Sequence, residues 1–387
     1  MINDSRLARN SAFSNVRYRQ SCHPDAFSFT YWGGIDMITV FHFSDDYPGH
    51  NRYIMRIVLA PLEGVMDHSV RDLLTSFGGY DLCITEFLRV SNGQLLPPRT
   101  FYQLAPELEN NGLTPSGVPI RIQLLGSEPN TLAVNAERAI DLGSHGIDLN
   151  LGCPAKTVNK SKGGAVLLKE PRLIHQAVSA MRDVVPSDKT LSVKIRLGWD
   201  DPDCVHEIVD AIVQAGADEL TIHARTKEDG YKAEAIKWHY IAEAKQRLAD
   251  QGKSLSIIAN GEIWNCEDAI ACRKVSSCDD IMIGRGALAT PNLAAMVAGI
   301  SDKMSWLGVV DMILDYRKVQ MIGSQGHHYS SRVKQWLTQM RQSYPEANEL
   351  FMPIRRIKSS EEILLAIEHY RDAKIHNTLA QWQQLYS

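Results

Sequence analysis

Short runs of apolar residues recur along the chain from residue 56 onward and alternate with longer amphipathic stretches. Each run is too short for a typical helix, is rich in Ile, Val or Leu, and is continuously apolar, which is typical of strands buried on both faces. Eight strands are predicted, over Ile57–Ala60, Leu82–Glu86, Ile120–Leu124, Gly146–Asn150, Leu191–Arg196, Glu219–His223, Ser256–Asn260 and Asp280–Ile283.

Amphipathic segments predict helices between most of these strands. They cover Pro129–Leu142, Pro171–Val184, Cys204–Ala215 and Ile236–Ala249. Glycines at 143, 216 and 252 stand where helix C-termini favour them. Strands that alternate with helices favour a (β/α)8 TIM barrel over an open, doubly wound sheet. The stretch between the second and third strands is longer and has no clear pattern.

After about residue 300 the strand pattern stops, and amphipathic helices are predicted over Trp306–Met321, Ser331–Ser343 and Glu361–Tyr370. Basic and aromatic residues are interleaved there. They are Arg317, Lys318, Arg332, Lys334, Arg341, Arg355, Arg356 and Lys358, with Tyr316, Tyr329, Trp336, Tyr344 and Phe351. A basic surface with stacking rings suits RNA. A solvated helix bundle with core aromatics explains the same composition, and the sequence leaves both interpretations open.

Residues 1–54 mix Ser, Asn, Tyr, Phe and His without sustained periodicity. We interpret them as a loosely ordered extension, with an additional binding arm as the alternative. Translation that begins at Met55 is a third possibility, because the first strand pattern follows it directly. The predicted organisation is therefore an extension over 1–54, a barrel domain over 55–302 and a small helical domain over 303–387.

Composition excludes several classes of protein. The net charge of -4 gives no overall attraction to nucleic acid, so a polyanion must be bound by local patches. The seven cysteines form no Cys-x-x-Cys pair, and the six-residue spacing from Cys266 to Cys278 is unlike a zinc motif. We therefore expect reduced thiols and no metal site. Neither a membrane-spanning apolar run nor a signal sequence is recognisable, so a cytoplasmic protein is expected.

Polar residues recur where the predicted strands end, which is where TIM barrels gather their functional groups. A single residue of this kind is often structural, but the whole set predicts a site. The set is Pro61, Leu62, Glu63, Arg89, Gln123, Asn150, Cys153, Lys194, Arg196, His223, Arg225, Asn260, Gly261, Glu262, Gly284, Arg285 and Gly286.

The loop after the last predicted strand, Gly284-Arg285-Gly286, has the composition of a phosphate site. Its glycines let backbone N–H groups approach a phosphate, and Arg285 adds a planar cation. A dinucleotide fingerprint over 284–289 is disfavoured because no parallel strand follows to complete a βαβ unit. A phosphorylated cofactor is the better prediction. Lys194, inside the barrel, is compatible with a Schiff base, a hydrogen bond to a flavin ring or a buried ion pair.

Cys153 lies on a sharp turn, Gly152-Cys153-Pro154, directly after the fourth predicted strand. A nucleophilic cysteine needs a nearby base, but His145 precedes that strand and is expected at the opposite end of the barrel. A thiol with a reference pKa of about 8.5 stays protonated near neutral pH and can donate a proton. We therefore favour a general acid over a buried structural cysteine.

Seven motifs follow one another along the chain. They are Leu-Ala-Pro-Leu-Glu-Gly at 59–64, Asn-Leu-Gly-Cys-Pro at 150–154, Lys-Gly-Gly-Ala-Val-Leu-Leu at 162–168, Val-Lys-Ile-Arg-Leu-Gly at 193–198, Ile-His-Ala-Arg-Thr at 222–226, Ala-Asn-Gly-Glu-Ile at 259–263 and Met-Ile-Gly-Arg-Gly at 282–286. In these motifs and their order, the chain resembles the tRNA-dihydrouridine synthases from Met55 to about Tyr370. The stretches 81–87 and 332–337 are most similar to the bacterial subfamily that acts on uridine 16.

The resemblance implies that an FMN-bearing barrel reduces the C5=C6 bond of a tRNA uridine to 5,6-dihydrouridine, with NADPH or NADH as reductant. It implies a helical tRNA-binding domain, and we expect a monomer. By position, FMN would be held by Pro61, Leu62, Glu63, Gln123, Lys194, His223, Asn260, Gly261, Glu262, Gly284 and Arg285. Cys153 matches the family's proton donor, and tRNA would be contacted by Arg89, Asn150, Tyr231, Lys334, Trp336 and Arg341.

Two alternatives share parts of this pattern. One is a different FMN barrel that acts on free pyrimidines, as dihydroorotate dehydrogenases do, and has no need of the basic tail. The other is a tRNA-binding protein without turnover.

Overall fold

A closed barrel of eight parallel strands forms the centre of the molecule, with the strands hydrogen-bonded in chain order. The structure, a computed structural model, describes residues 55–91, 93–320 and 329–386. The strands are β1 Ile57–Leu59, β2 Leu82–Arg89, β3 Ile120–Leu125, β4 Ile147–Asn150, β5 Leu191–Arg196, β6 Glu219–His223, β7 Ser256–Asn260 and β8 Ile281–Ile283. The predicted TIM barrel is confirmed, and the predicted extension over 1–54 lies outside the described residues.

The continuous apolar pattern of the strands has a direct structural cause. Every residue of β3, β4 and β6 is buried, because helices cover the outer face and side chains fill the barrel interior. β2 extends three residues beyond its predicted end at Glu86, and its register against β3 shifts between Ile84 and Phe87. Such an irregularity bends a strand locally and re-aims its side chains.

Helices and short turns connect the strands. The α-helices of the barrel region are α1 His68–Ser76, α2 Pro98–Leu104, α3 Pro129–Asp141, α4 Lys156–Lys160, α5 Pro171–Arg182, α6 Val205–Gln214, α7 His239–Asp250, α8 Cys266–Ser276, α9 Arg285–Ala289 and α10 Leu293–Val297. The four predicted helices correspond to α3, α5, α6 and α7. α8 was not predicted, and it buries only Ala269, Cys272 and Ser276, which is too few for a clear apolar stripe.

Among the described residues, five helices follow the barrel: α11 Trp306–Gln320, α12 Tyr329–Met340, α13 Glu346–Ile354, α14 Ser360–His376 and α15 Leu379–Tyr386. α13 and α15 were not predicted, and Pro353 lies inside α13. Most of the aromatic residues in the basic and aromatic set are buried in the core of this bundle, so the core interpretation applies to them. They are Tyr316, Tyr329, Trp336 and Tyr344.

The helical region is joined to the barrel at the loop between β1 and α1. Arg332 of α12 donates to the carbonyl oxygen of Val65 at 2.9 Å and forms an ion pair with Asp67. The hydroxyl groups of Tyr316 and Ser69 are 2.8 Å apart in the same buried contact. Arg332 therefore connects the helical region to the barrel. Its sequence context alone had grouped it with the residues of a possible RNA-binding surface.

The remaining composition-based expectations concern cysteines and membranes. The cysteines in the described ranges, at 83, 153, 204, 266, 272 and 278, are all free. Within the same ranges, no helix is both long enough and apolar enough to cross a bilayer.

Candidate active site

A cavity of about 160 Å³ opens at the C-terminal ends of the strands. Every residue predicted to hold FMN contributes to its wall. These are Pro61, Leu62, Glu63, Gln123, Lys194, His223, Asn260, Gly261, Glu262, Gly284 and Arg285. Cys153, Asn150 and Tyr231 line the same cavity. The structure therefore brings together the groups that the sequence placed at the ends of seven different strands.

The turn that carries Cys153 is fixed by the last residue of β4. The side-chain oxygen of Asn150 accepts hydrogen bonds from the backbone N–H groups of Gly152 and Cys153, each at 3.0 Å. The guanidinium of Arg196 donates to the carbonyl oxygen of Gly152 at 2.9 Å. Because the turn is held from both sides, the thiol has a defined position at the cavity wall.

Asn150 is itself oriented by a chain of buried polar groups. Its amide donates to the side-chain oxygen of Gln123 at 2.7 Å, and the amide of Gln123 donates to Asp148 at 2.7 Å. The hydroxyl of Ser192 donates to the other oxygen of Asp148 at 2.6 Å. A satisfied buried network of this kind selects one side-chain arrangement. It extends from β5 across β4 and β3 to the cysteine turn.

The thiol of Cys153 is held in its protonated form. Burial is the main cause that raises its pKa, and the nearby carboxylate of Glu63 raises it further. The hydrogen bond from the backbone and the cations Arg196 and Arg89 act in the opposite direction but are smaller. A protonated thiol can donate a proton but is a poor nucleophile. Cys153 therefore has the protonation state that a general acid requires.

Lys194 extends into the cavity from β5 and has one polar partner there. Its ammonium donates to the side-chain oxygen of Asn260 at 3.1 Å, and Asn260 in turn donates to the carbonyl oxygen of Met282 at 2.8 Å. Burial lowers the pKa of Lys194 to about 8. Lys194 forms no direct salt bridge with another described residue, and the buried carboxylate of Asp148 attracts its ammonium from a longer distance. The ammonium has room for an acceptor from a bound molecule.

Several cationic groups lie around His223. Arg225 and Arg285 both pair with Glu262, at 3.0 Å for Arg225. His223 faces these arginines, Arg196 and Lys194, and burial together with the neighbouring cations lowers its pKa well below the ordinary value. The imidazole is therefore neutral. Of these arginines, Arg285 and Arg196 line the cavity, and a planar guanidinium can bind a phosphate.

Backbone groups approach the cavity closely at two glycines. A Cβ on Gly261 would lie 2.9 Å from the ring of His223, and one on Gly286 would lie 2.0 Å from the carbonyl oxygen of Ile263. Gly261 also has a φ of +121°, which side chains rarely allow. Both positions therefore require glycine, because a side chain there would collide with neighbouring protein atoms.

An aromatic pair covers the guanidinium of Arg285. The centre of that group lies 4.8 Å from the ring of Tyr231 and 4.9 Å from the ring of Trp264. The indole N–H of Trp264 donates to Glu262 at 2.9 Å. The guanidinium of Arg196 lies 5.2 Å from the ring of Tyr231 as well, and the Tyr231 side chain is 52% exposed at the cavity.

The predicted tRNA-binding residues lie in two places. Arg89, Asn150 and Tyr231 are at or beside the cavity mouth, and Arg89 donates to the hydroxyl of Ser161 at 3.4 Å. On α12 and just beyond it, Lys334 donates to the carbonyl oxygen of Ile357 at 2.8 Å, and Arg341 is exposed.

Trp336 does not lie where a nucleotide could reach it. Its side chain is 2% exposed, and its ring centre lies 4.6 Å from that of Tyr316 inside the helical core. The prediction that the side chain of Trp336 contacts tRNA directly is therefore wrong for this conformation. The reason is that the apolar stripe of α12 includes Trp336 together with Val333 and Leu337.

The family model described as Dihydrouridine synthase (Dus) matches residues 58–370. The chain belongs to the dihydrouridine synthase family. This match confirms the resemblance found in the motifs. It also confirms the reaction class predicted from them, an oxidoreductase that modifies tRNA.

Relatives named tRNA-dihydrouridine(16) synthase match most of this dihydrouridine synthase. The protein of Vibrio cholerae serotype O1 is 51% identical over 327 residues, which are 84% of this chain and 99% of that relative. The protein of Vibrio parahaemolyticus is 53% identical over 318 residues, with 82% and 97% covered. The protein of Escherichia coli K12 is 51% identical over 314 residues, with 81% and 98% covered.

Two residues of the dihydrouridine synthase site were missed in the sequence. Glu86 lines the cavity and accepts from the backbone N–H of Val65 at 3.1 Å, and burial raises its pKa. Its position at the end of the second predicted strand was the available signal. Trp264 directly follows the Ala-Asn-Gly-Glu-Ile motif, but its contact with Arg285 joins two loops that are distant in sequence.

Proposed function

We propose that this dihydrouridine synthase binds FMN in the cavity and reduces the C5=C6 bond of uridine 16 in tRNA, with NADPH as the reductant. The observation that carries the proposal is the position of Cys153. Its protonated thiol lies on the wall of the same cavity as Lys194 and Arg285. The names of the relatives, at about half identity over nearly their whole length, support uridine 16 as the target.

The residues present fit FMN. The backbone of Gly284 and Gly286, with the guanidinium of Arg285, would hold the phosphate. Lys194 and Asn260 offer polar atoms to the flavin ring, and the ammonium of Lys194 forms one hydrogen bond, to the side-chain oxygen of Asn260. The other predicted contacts belong to the same wall. When bound, FMN supplies the hydride for C6 of the uracil.

Cys153 completes the reduction by protonating C5. Hydride addition at C6 places negative charge on the conjugated C4 carbonyl and C5, and this charge draws the proton from the thiol. Because burial raises the pKa of Cys153, the proton is present at neutral pH. General-acid steps of this kind contribute about 10²–10⁴-fold. Asn150 and Arg196 hold the turn, so the sulfur keeps its position as the base enters.

The uridine must leave its stack to reach the cavity, as in other base-modifying enzymes. Tyr231 offers an exposed ring at the mouth, and Arg89 offers a cation beside it. We propose that the helical domain over 303–387 binds the tRNA body through exposed cations such as Arg341, while the barrel over 55–302 performs the reduction. In this proposal the enzyme acts as a cytoplasmic monomer.

The proposal is tested with purified protein, FMN, NADPH and tRNA transcripts that lack dihydrouridine. We expect dihydrouridine at position 16, located by mapping the modified nucleotide. Free uridine and orotate are offered in parallel. Reduction of a free pyrimidine without tRNA turnover would support the dihydroorotate dehydrogenase-like alternative. tRNA binding without any dihydrouridine would support a binding protein.

A further inference from the structure

A strongly basic segment follows the cysteine turn directly. This segment, residues 155–169, contains Lys156, Lys160, Lys162 and Lys169 and no acidic residue. All four lysines are exposed. None of them takes part in an ion pair with another described residue. Lys169 lies 4.2 Å from the ring of Trp199, whereas Lys156, Lys160 and Lys162 form no ion pair with a described residue.

The local structure turns these lysines outward. Lys156 and Lys160 are four residues apart on α4, so their side chains lie on the same helix face. Val158 is buried and anchors the other face. Lys162 follows with a φ of 56°, a left-handed conformation that is unfavourable for a residue with a side chain. Non-glycine residues held in this region are concentrated at functional sites.

Hydrogen bonds tie the basic segment to the catalytic cysteine. The carbonyl oxygen of Cys153 accepts from the backbone N–H of Ala165 at 3.1 Å and from the side-chain amide of Asn159 at 3.3 Å. The side-chain oxygen of Asn159 accepts from the backbone N–H of Val166 at 2.8 Å. These hydrogen bonds hold the segment against the cysteine turn, so the segment forms part of the cavity rim beside the thiol.

A second element extends this positive rim. Arg89, at the end of β2, donates to the hydroxyl of Ser161 in the middle of the segment at 3.4 Å. Arg89 is thus adjacent to the basic segment, which itself contacts the cysteine turn. None of the four lysines lines the cavity that contains Cys153.

We propose that the basic segment binds the sugar–phosphate backbone of tRNA on either side of the uridine that enters the cavity. Lys156, Lys160 and Lys162 would neutralise neighbouring phosphates, and no base would be read by them. Exposed lysines act as point charges on flexible stems, which suits phosphodiesters of any sequence. This proposal rests on the proposed function, because it needs tRNA as the substrate. In this proposal the barrel, and not the helical domain, binds the stretch of tRNA next to the target uridine.

Salt dependence of tRNA binding tests the proposal. The variant Lys156→Gln/Lys160→Gln removes two charges from the segment. The matched control Lys253→Gln/Lys274→Gln removes two charges from the turn after α7 and from α8, where neither residue lines the cavity. Each phosphate contact on a single strand contributes about 0.7 to the slope of log K against log salt. We expect this slope to be shallower by about 1.4 in the segment variant than in the wild type. Its KM for tRNA should rise several-fold, and the control variant should behave like the wild type.

A second measurement uses the unmodified holoenzyme, so it does not depend on how a variant folds. Lysines are acylated with and without tRNA, and modification is read by mass spectrometry. Protection of Lys156, Lys160 and Lys162, with Lys274 unprotected, supports the proposal. Equal acylation of those three lysines, or a segment variant that binds tRNA like the control, would overturn it. Failure of the wild-type enzyme to form dihydrouridine would instead refute the proposed function.

Discussion

The side-chain oxygen of Asn150 accepts a hydrogen bond from the backbone N–H of Cys153 at 3.0 Å. The last residue of β4 thereby sets the turn on which the proposed acid lies. The same oxygen accepts from Gly152, and the amide of Asn150 is held by Gln123. Placement of the thiol is thus a property of a buried polar network and not of the loop alone.

The first prediction concerns Asn150→Ala. Removing the side chain leaves two backbone N–H groups in the cysteine turn and the oxygen of Gln123 without this partner. We expect a loss of stability of about 1–3 kcal/mol. We also expect dihydrouridine formation per folded, FMN-loaded enzyme to fall by at least tenfold, because the thiol is no longer held. Single-turnover assays at saturating tRNA measure this rate.

Asn135→Ala is the matched control. Asn135 is fully buried in α3, accepts from Leu96 at 2.9 Å and donates to Gln94 at 2.8 Å. Its loss should cost similar stability, since it also leaves backbone groups unpaired, but it is not part of the cavity wall. Equal catalytic losses in the two variants would mean that Asn150 has only a general structural role.

The second prediction is a pH profile. The acid acts only while the thiol of Cys153 carries its proton, and its pKa is raised by burial. The rate of dihydrouridine formation should therefore persist through neutral pH and fall as pH rises through the raised pKa. Cys153→Ser should be much slower and lack this descending limb, because a serine hydroxyl does not titrate in that range. A descending limb that is identical in the serine variant would assign it to another group.

The third prediction concerns FMN binding to the apoprotein. Burial lowers the pKa of Lys194 to about 8, so its ammonium form is present below that pH and is lost above it. FMN affinity should weaken as pH rises from 7.5 to 9, a range in which a phosphate monoester with a second pKa of about 6 is already ionised. Lys194→Met should bind FMN more weakly and with a flat profile there. Quenching of flavin fluorescence provides the dissociation constants.

The fourth prediction concerns the joint between helices and barrel. Arg332→Ala removes the hydrogen bond to the carbonyl oxygen of Val65 and the ion pair with Asp67, at a partly buried contact. We expect a loss of about 1–3 kcal/mol in the free energy of unfolding. FMN affinity should also fall, because the same loop carries Pro61, Leu62 and Glu63.

Arg317→Ala provides the comparison for this joint. The side chain of Arg317 is 45% exposed and lies 3.5 Å from Glu368, which is equally exposed. Such a surface pair contributes little, so its loss should change stability by at most about 1 kcal/mol. Urea denaturation of both variants measures the difference. Indistinguishable values would show that Arg332 is not the joint between the two regions.

The sequence predicts the barrel well because its strands are continuously apolar. β5, β6 and β7 have the predicted bounds, while β2 continues to Arg89 because the register shift near Ile84 leaves no mark in the apolar pattern. α13 was missed because Pro353 and a short apolar face obscure it. Helix existence there depends on packing against α12 and α14, which periodicity alone does not reveal.

The sequence predicts which residues line the cavity but not the hydrogen bonds between them. Strand ends point to Asn150 and Gln123 individually, yet the hydrogen bond between them requires the register of β3 against β4. Trp336 was misassigned because a tryptophan among basic residues has the same composition whether its ring is exposed or buried. Only the packing of α12 against Tyr316 distinguishes the two.

The proposed mechanism depends most on Cys153, whose protonated thiol donates a proton to the uridine of tRNA bound beside reduced flavin. The decisive measurement uses Cys153→Ala holoenzyme, reduced by NADPH and then mixed with unmodified tRNA in a single turnover. The account predicts normal FMN content and normal reduction by NADPH, with dihydrouridine formation slower by about 10²–10⁴-fold than in the wild type. A variant that forms dihydrouridine at the wild-type rate would contradict the role of Cys153 as the acid.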